Sequence, residues 1–372
     1  MRKCGGVILE EKQKQISPFL VFFLVHSVQV GVGVLGFQRI IMKSAGNDAW
    51  IAVIAAGISI NVAIMIMYLL LNKQQKDLID IHKDLFGKWI GGFFSLIWII
   101  YWLVIGLVVL RSYIEIVQVW VFPLINIMMF SIIILGLVYY NVTGGFRVVA
   151  GISFLGVVIP FYIFLSFLFP IEYANFRNLL PVWNHSVKEL SIATKDMMLG
   201  LLGFSTLLMY YPYIKHPKKS QKWAHFGNLL TIGIYLFILI ITIAFFSEKQ
   251  VSKQIWATLS MWKIVELPFI ERIEYIGITS WILIILPNIC LSVWAASKGI
   301  QKMFHFHLNK VIPVILILLL FATVAIQGRE TIDKLNQYLA IAGLGLVFIY
   351  LPILTILSFF FTKKRKGNTG NG

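Results

Sequence analysis

The sequence predicts an all-α polytopic membrane protein: about ten transmembrane helices in a single domain over residues 1–372, arranged as two inverted five-span halves. Composition, the spacing of charge and a pair of glycine-rich interruptions carry that prediction. Of the 372 residues, 59% are apolar and 13% are charged, about half the charged fraction of a soluble domain. The charges are also clumped, so that Gln15 to Gln38 and Ala49 to Leu71 hold no Asp, Glu, Lys or Arg. Each run exceeds the ~20 helical residues that cross a hydrocarbon core of roughly 30 Å. Soluble enzyme, secreted module, coiled coil and disordered chain are thereby excluded.

Taken in order, the charge-free apolar runs give spans at 15–38, 49–71, 89–110, 116–141, 148–169, 197–214, 223–246, 275–297, 311–327 and 336–361. Span 4 is the least regular, with Pro123 early in it and only Arg111 and Glu115 dividing it from span 3. The halves cover about 15–169 and 197–361, with tails at 1–14 and 362–372. The Lys363-Lys-Arg-Lys366 cluster ends span 10 as an anchor at the membrane surface.

Lys and Arg set the orientation. Loops on the side of the N-terminus hold 20 of the 32 bases and five of the 16 acids, whereas the other side holds 12 bases and 11 acids. Nearly all of the net charge of +16 therefore lies on one face, which is assigned to the cytoplasm together with both termini. This charge is a topology signal and an attraction to the anionic headgroups of a lipid bilayer, so nucleic acid is not implied as a partner.

Two spans are interrupted. Span 1 contains Gln29-Val-Gly31-Val-Gly33-Val-Leu-Gly36, and span 6 contains Gly200-Leu-Leu-Gly203-Phe-Ser-Thr206 with Pro212 near its end. Glycine costs about 1 kcal/mol relative to alanine in a helix, so a cluster weakens the hydrogen-bond ladder. These are the first spans of the two halves, and corresponding interruptions in inverted halves point to a transporter-like binding site near the midplane. Freed peptide groups at that depth must line a cavity or meet a ligand. Half-helix N-termini suit a carboxylate, so a small zwitterion such as an amino acid is the complementary solute. Close helix packing is the competing explanation for the same glycines.

Other patterns carry no chemistry. Gly31-Val-Gly33-Val-Leu-Gly36 has the letters of a dinucleotide fingerprint but lies in a membrane run without a strand–helix unit. Cys4 and Cys290 are read as free thiols, and His305-x-His307 is too sparse for a metal site. The N-terminus lacks the apolar region of a secretory signal. No nucleophile–base constellation or phosphate loop stands out, and neither enzyme activity nor a cofactor or metal is expected.

The residues resemble the B-subunit family of endospore germinant receptors, a branch of the amino acid–polyamine–organocation transporter superfamily. The likeness includes Ile16-Ser-Pro18, Gly31-x-Gly33, Phe37-Gln-Arg39, Asp48-Ala-Trp50, Phe86-Gly-Lys-Trp-Ile-Gly91, Leu179-Leu-Pro-Val182, Tyr211-Pro-Tyr213 and Phe269-Ile-Glu-Arg272-Ile-Glu274 with Trp281. One departure is Phe204-Ser205-Thr206, where many members carry a glutamate. The resemblance implies a LeuT-like inverted repeat with spans 1 and 6 broken. It also implies a ligand-sensing role beside an A-type membrane subunit and a C-type lipoprotein, in the spore inner membrane.

Carried onto this sequence, the superfamily's site falls on Val30, Gly31, Val32, Gly33 and Val34, acting through backbone amides, and on Gly203, Phe204, Ser205 and Thr206, offering carbonyls and two hydroxyls to an ammonium group. Ile105 and Gly106 of span 3 are either site residues or plain packing. Asn288 of span 8, after Pro287, either contacts ligand or bonds another helix. His26, on about the same face as Gln29, is either bonded to a neighbouring helix or a proton switch. Arg111 and Glu115 either pair or face an outer vestibule. Three functions fit: a germinant-sensing receptor subunit, a working amino acid permease, or a scaffold without ligand.

Overall fold

The computed structural model describes residues 15–264 and 272–367. Cys4 and the rest of the N-terminal tail, Phe269 to Glu271 of the motif before span 8, the side chains of the Lys363–Lys366 cluster and the glycines beyond Gly367 lie outside the described residues. Those described are helical, with a single isolated bridge, Ile16 to Ile214. Span 1 is α1 (Leu20–Gln29) and α2 (Phe37–Ala45), with a non-helical Val30–Gly31 step and a 3-10 turn between them. There follow α3 (Ala49–Gln74), α4 (Leu78–Trp120), α5 (Ile127–Thr143) and α6 (Phe146–Val158), the last tightening into 3-10 turns that reach Tyr173. In span 6, α7 (Val187–Leu199) turns by 51° into the arm Leu202–Tyr213. Completing the bundle are α8 (Gln221–Phe245), α9 (Ile282–Phe304), α10 (Leu308–Ala325) and α11 (Arg329–Leu344), which passes through a π-turn into α12 (Leu351–Gly367). Among the described residues, seven helical stretches are long and apolar enough to cross a membrane, eight with the bent pair, and α1 and α5 are shorter apolar helices.

Several expected boundaries move, three of them for one reason: charge inside a span is tolerated where it reaches water or a partner. Span 1 runs on to Ala45 past the exposed Arg39 and Lys43. Span 6 begins at Val187, under a Ser186–Glu189 capping box, and its first half carries the exposed Lys188, Glu189 and Lys195. Arg111 and Glu115, expected between spans 3 and 4, sit inside α4. There Arg111 Nε donates to Ile326 O at 2.7 Å and Glu115 accepts from Arg329 at 3.0 Å. The helix therefore continues to Trp120, and Pro123 falls in the turn before α5.

Near its start α4 bends at Gly87 (φ 75°), folding the Leu78–Phe86 turn back on the helix. Gly91 permits that contact, since a Cβ there would stand 2.5 Å from His82 O. Gly87-x-x-x-Gly91 thus packs within one element. The His82 ring is bonded on both sides, to Ser95 Oγ at 2.9 Å and to Tyr350 Oη in the π-turn at 2.7 Å.

Contacts sort the loops into the two sets that charge predicts. At one end Ile16 N donates to Tyr213 O and Lys215 N to Ile16 O, both at 2.8 Å, which ties the start of span 1 to the end of span 6. Arg147 reaches Gln15 O, Tyr68 meets Ser220, and Lys302 clasps Asp77 and Asp80. Burial raises the Asp77 carboxyl above the ordinary carboxylate range, against the pull of the Lys302 ammonium. At the other end Asp48 meets the loop at 183–185, Glu115 meets Arg329, and Lys263 lies over Trp120. Between the two ends sits an aromatic-rich core that includes the fully buried Trp98, Trp102, Trp262 and Trp281.

Candidate functional site

The break in span 1 is where the backbone leaves the helix, and the structure closes four side chains from other elements around it. Val30 caps α1 in an extended conformation and Gly31 follows at φ −130°, ψ −145°. Several carbonyls that lose a helical partner find another donor. Gly31 O accepts from Trp281 Nε1 at 3.3 Å, Gln29 O from Tyr235 Oη at 3.2 Å, and Val34 O from Thr258 Oγ1 at 2.9 Å. Asn288 Nδ2 serves Ser27 O at 2.6 Å and Val30 O at 3.3 Å.

The glycines divide into two kinds. Gly36 and Gly203 are demanded by packing, because a Cβ would stand 2.4 Å from Ile255 O and 2.4 Å from Val28 O respectively. Gly31 and Gly33 are not: the nearest atoms to a built Cβ are 3.9 Å away, at Asn288 and at Tyr235 Oη, and neither has a positive φ. Gly33 is moreover exposed although its neighbours Val32 and Val34 are buried. Close packing therefore accounts for the glycines that seat span 6 and α2, and leaves the central pair unexplained by it.

Gly203 lying against Val28 joins the two broken spans directly. Phe204, Ser205 and Thr206 follow it into the core. Both expected hydroxyls are engaged: Ser205 Oγ accepts from Trp102 Nε1 at 3.3 Å, and Thr206 Oγ1 donates to Gly203 O at 3.2 Å. Ile105 is 9% exposed, and a Cβ added at Gly106 would stand 3.5 Å from Ser292 Cβ, so this part of α4 packs on α9. Asn288 bonds to span 1, which favours the interhelical reading of its amide. The carbonyl freed by Pro287, that of Leu283, faces Gly156 rather than the break. A small cavity of about 10 Å³ opens beside Ser27, Val30 and Ile284, room for roughly one water.

His26 belongs to a polar seam between α1 and α8. Its Nδ1 lies 2.8 Å from Thr231 Oγ1, whose own proton is shared between two acceptors at 3.0 Å, Gln29 Oε1 and Gly227 O. That hydroxyl has only one proton, so the network assigns the donor at the pair to His26 Nδ1. Gln29 Nε2 continues the seam to Asn228 Oδ1 at 3.0 Å, and Asn228 Nδ2 reaches Gly57 O of α3 at 3.0 Å. Cys290 is a buried free thiol. His305 caps α9 and His307 precedes α10, both exposed.

Trp102, Tyr235 and Thr258 are not among the residues the sequence points to, and Trp281 enters there only as part of a motif. The available signal was generic: an aromatic with a polar tip, or a threonine, in mid-membrane needs a buried partner. Which partner depends on helices brought together from distant sequence.

Comparison with known proteins places the chain and its fold. The family described as spore germination protein matches residues 15–332. Spore germination protein GerQB of Bacillus cereus is 45% identical over 343 residues, covering 92% of this chain and 95% of that protein. Spore germination protein A2 of Bacillus subtilis (strain 168) is 25% identical over 357 residues, 93% of this chain and 95% of that one. Among solved structures, the substrate-bound outward-open state of a Na+-coupled sialic acid symporter superposes with a TM-score of 0.65 at 11% identity, over 90% of this chain and 79% of that chain. The fold is that of the transporters, and the likeness at that identity reaches no further than fold.

Proposed function

The chain belongs to the spore germination protein family, and from that premise we propose that it is the B-type membrane subunit of a spore germinant receptor. It binds a small nutrient, by its chemistry an amino acid, between the breaks in spans 1 and 6, and binding favours one arrangement of the two halves over another. An A-type membrane subunit and a C-type lipoprotein detect that shift, in the spore inner membrane, with the basic face and both termini toward the cytoplasm. The observation that carries the reading is the pair Gly31 and Gly33, glycines that neither packing nor φ requires, placed in the break of span 1 just past Val28, the residue that Gly203 of span 6 meets. A ligand approaching the bare peptide groups is a reason for them.

Bulk at that point tests the proposal. Because a Cβ fits at both positions, Gly31→Ala and Gly33→Ala serve as folding controls. Gly31→Trp and Gly33→Trp should abolish the germination response to amino acids while the protein stays in the membrane. A normal response from either stable tryptophan variant would remove the site.

The transporter fold supports a second reading, an amino acid permease, the neighbouring symporter being Na+-coupled. Vesicles reconstituted with this chain alone separate the two: accumulation of labelled amino acid favours the permease, and saturable binding without accumulation favours the receptor. Absence of any binding leaves the scaffold reading.

A further inference from the structure

Three backbone carbonyls converge on one side-chain nitrogen beside the break in span 1. Asn288 Nδ2 lies 2.6 Å from Ser27 O, 3.3 Å from Val30 O and 3.1 Å from Ile284 O, and the residue is 2% exposed. In an unbroken helix Ser27 O and Val30 O would accept from the amides of residues 31 and 34. Here they end a half-helix, carrying the partial negative charge of its C-terminus in a medium without bulk water. Carbonyls of an unwound span and a half-helix end are the ligand set that a monovalent cation uses in membrane proteins. One amide nitrogen, with two N–H bonds for three acceptors, occupies the centre of that set.

We propose that the Asn288 side-chain amide is a built-in substitute for a bound cation: it satisfies the carbonyls that the break exposes and ties α1 to α9 without an ion. The arrangement of span 1 against span 8 is then independent of sodium. Asn288 contributes δ-positive hydrogens that are covalently attached, so no ion concentration can empty or fill the position. A carboxylate of the same shape would reverse the sign at the centre of three carbonyls and require a cation there, with the adjacent one-water cavity able to complete its shell.

The test uses the full chain purified in detergent, with thermal unfolding followed in sodium chloride and in choline chloride at equal ionic strength. The wild-type midpoint should be the same in both salts. Asn288→Asp should unfold at a higher temperature in sodium than in choline, by about 2 °C at a sodium concentration near ten times its Kd. Asn288→Ser, which replaces the donor by a hydroxyl oxygen able to ligate an ion, should gain the same dependence more weakly. It covers the case in which the aspartate variant does not accumulate. A wild-type midpoint that rises with sodium overturns the proposal, and so does the absence of sodium dependence from the variants that fold. The measurement needs no germinant, so its outcome is separate from the identity of the ligand.

Discussion

At the scale of single residues, the two broken spans are joined through a position with no room for a methyl group. Gly203→Ala would put a Cβ 2.4 Å from Val28 O, and because that atom is backbone, the break itself must shift. Overpacking of this sort costs about 1–3 kcal/mol. The variant should unfold at a lower temperature than wild type, whereas Gly31→Ala, with its nearest neighbours 3.9 Å away, should remain close to wild type. Equal midpoints for the two variants would contradict the contact. The sequence shows both glycines in the same kind of cluster and does not separate them. Their difference lies in what stands opposite, residue 28 for one and residue 288 for the other.

At the scale of elements, Asp48 fastens the loop that leads into span 6. Its buried carboxylate accepts from Trp183 N at 2.7 Å, Asn184 N at 2.7 Å, His185 N at 3.1 Å and His185 Nδ1 at 3.0 Å. One short turn after α2 thereby holds the approach to α7, and so couples the outer half of span 1 to the outer half of span 6. Hydrogen bonds to a buried charge contribute about 1.5–3 kcal/mol. Asp48→Ala should accordingly release the loop, seen as faster proteolysis between Asn175 and Ser186 and a lower unfolding temperature. Unchanged cleavage would show that the loop is held by other contacts. Asp48 belongs to the legible motif Asp48-Ala-Trp50, and its partners Trp183 to His185 directly follow Leu179-Leu-Pro-Val182, yet nothing in either motif says that they meet.

Over the whole molecule, the contacts at each end of the bundle join loops of the same charge class, and the proposed orientation puts the basic class toward the cytoplasm. In a chain with Cys4→Ser, Lys219→Cys should react with a membrane-impermeant thiol reagent only from the cytoplasmic side, and Asn178→Cys only from the opposite side; the native Cys290 is fully buried. The reverse pattern would invert the topology. Span boundaries were legible wherever a run was purely apolar, as in α3 and α8. They were misplaced at α2, α4, α7, α9 and α11, where Lys43, Arg111, Lys188, Lys302 and Arg329 lie in a helix whose charge is satisfied by water or by a partner on another element.

One dimension encodes membrane residence from apolar runs, a division of the loops into two charge classes from Lys and Arg, and the two breaks from clustered glycine. Those depend on local composition, which the bilayer reads directly. Folding in three dimensions settles which peptide groups at the breaks are already bonded, that Ser205 is met by Trp102, that His26 is tied to Thr231, and that Asn288 lies among three carbonyls. Each of those follows from pairing across helices up to some 260 residues apart in the chain, and such pairing leaves no periodic trace in the sequence.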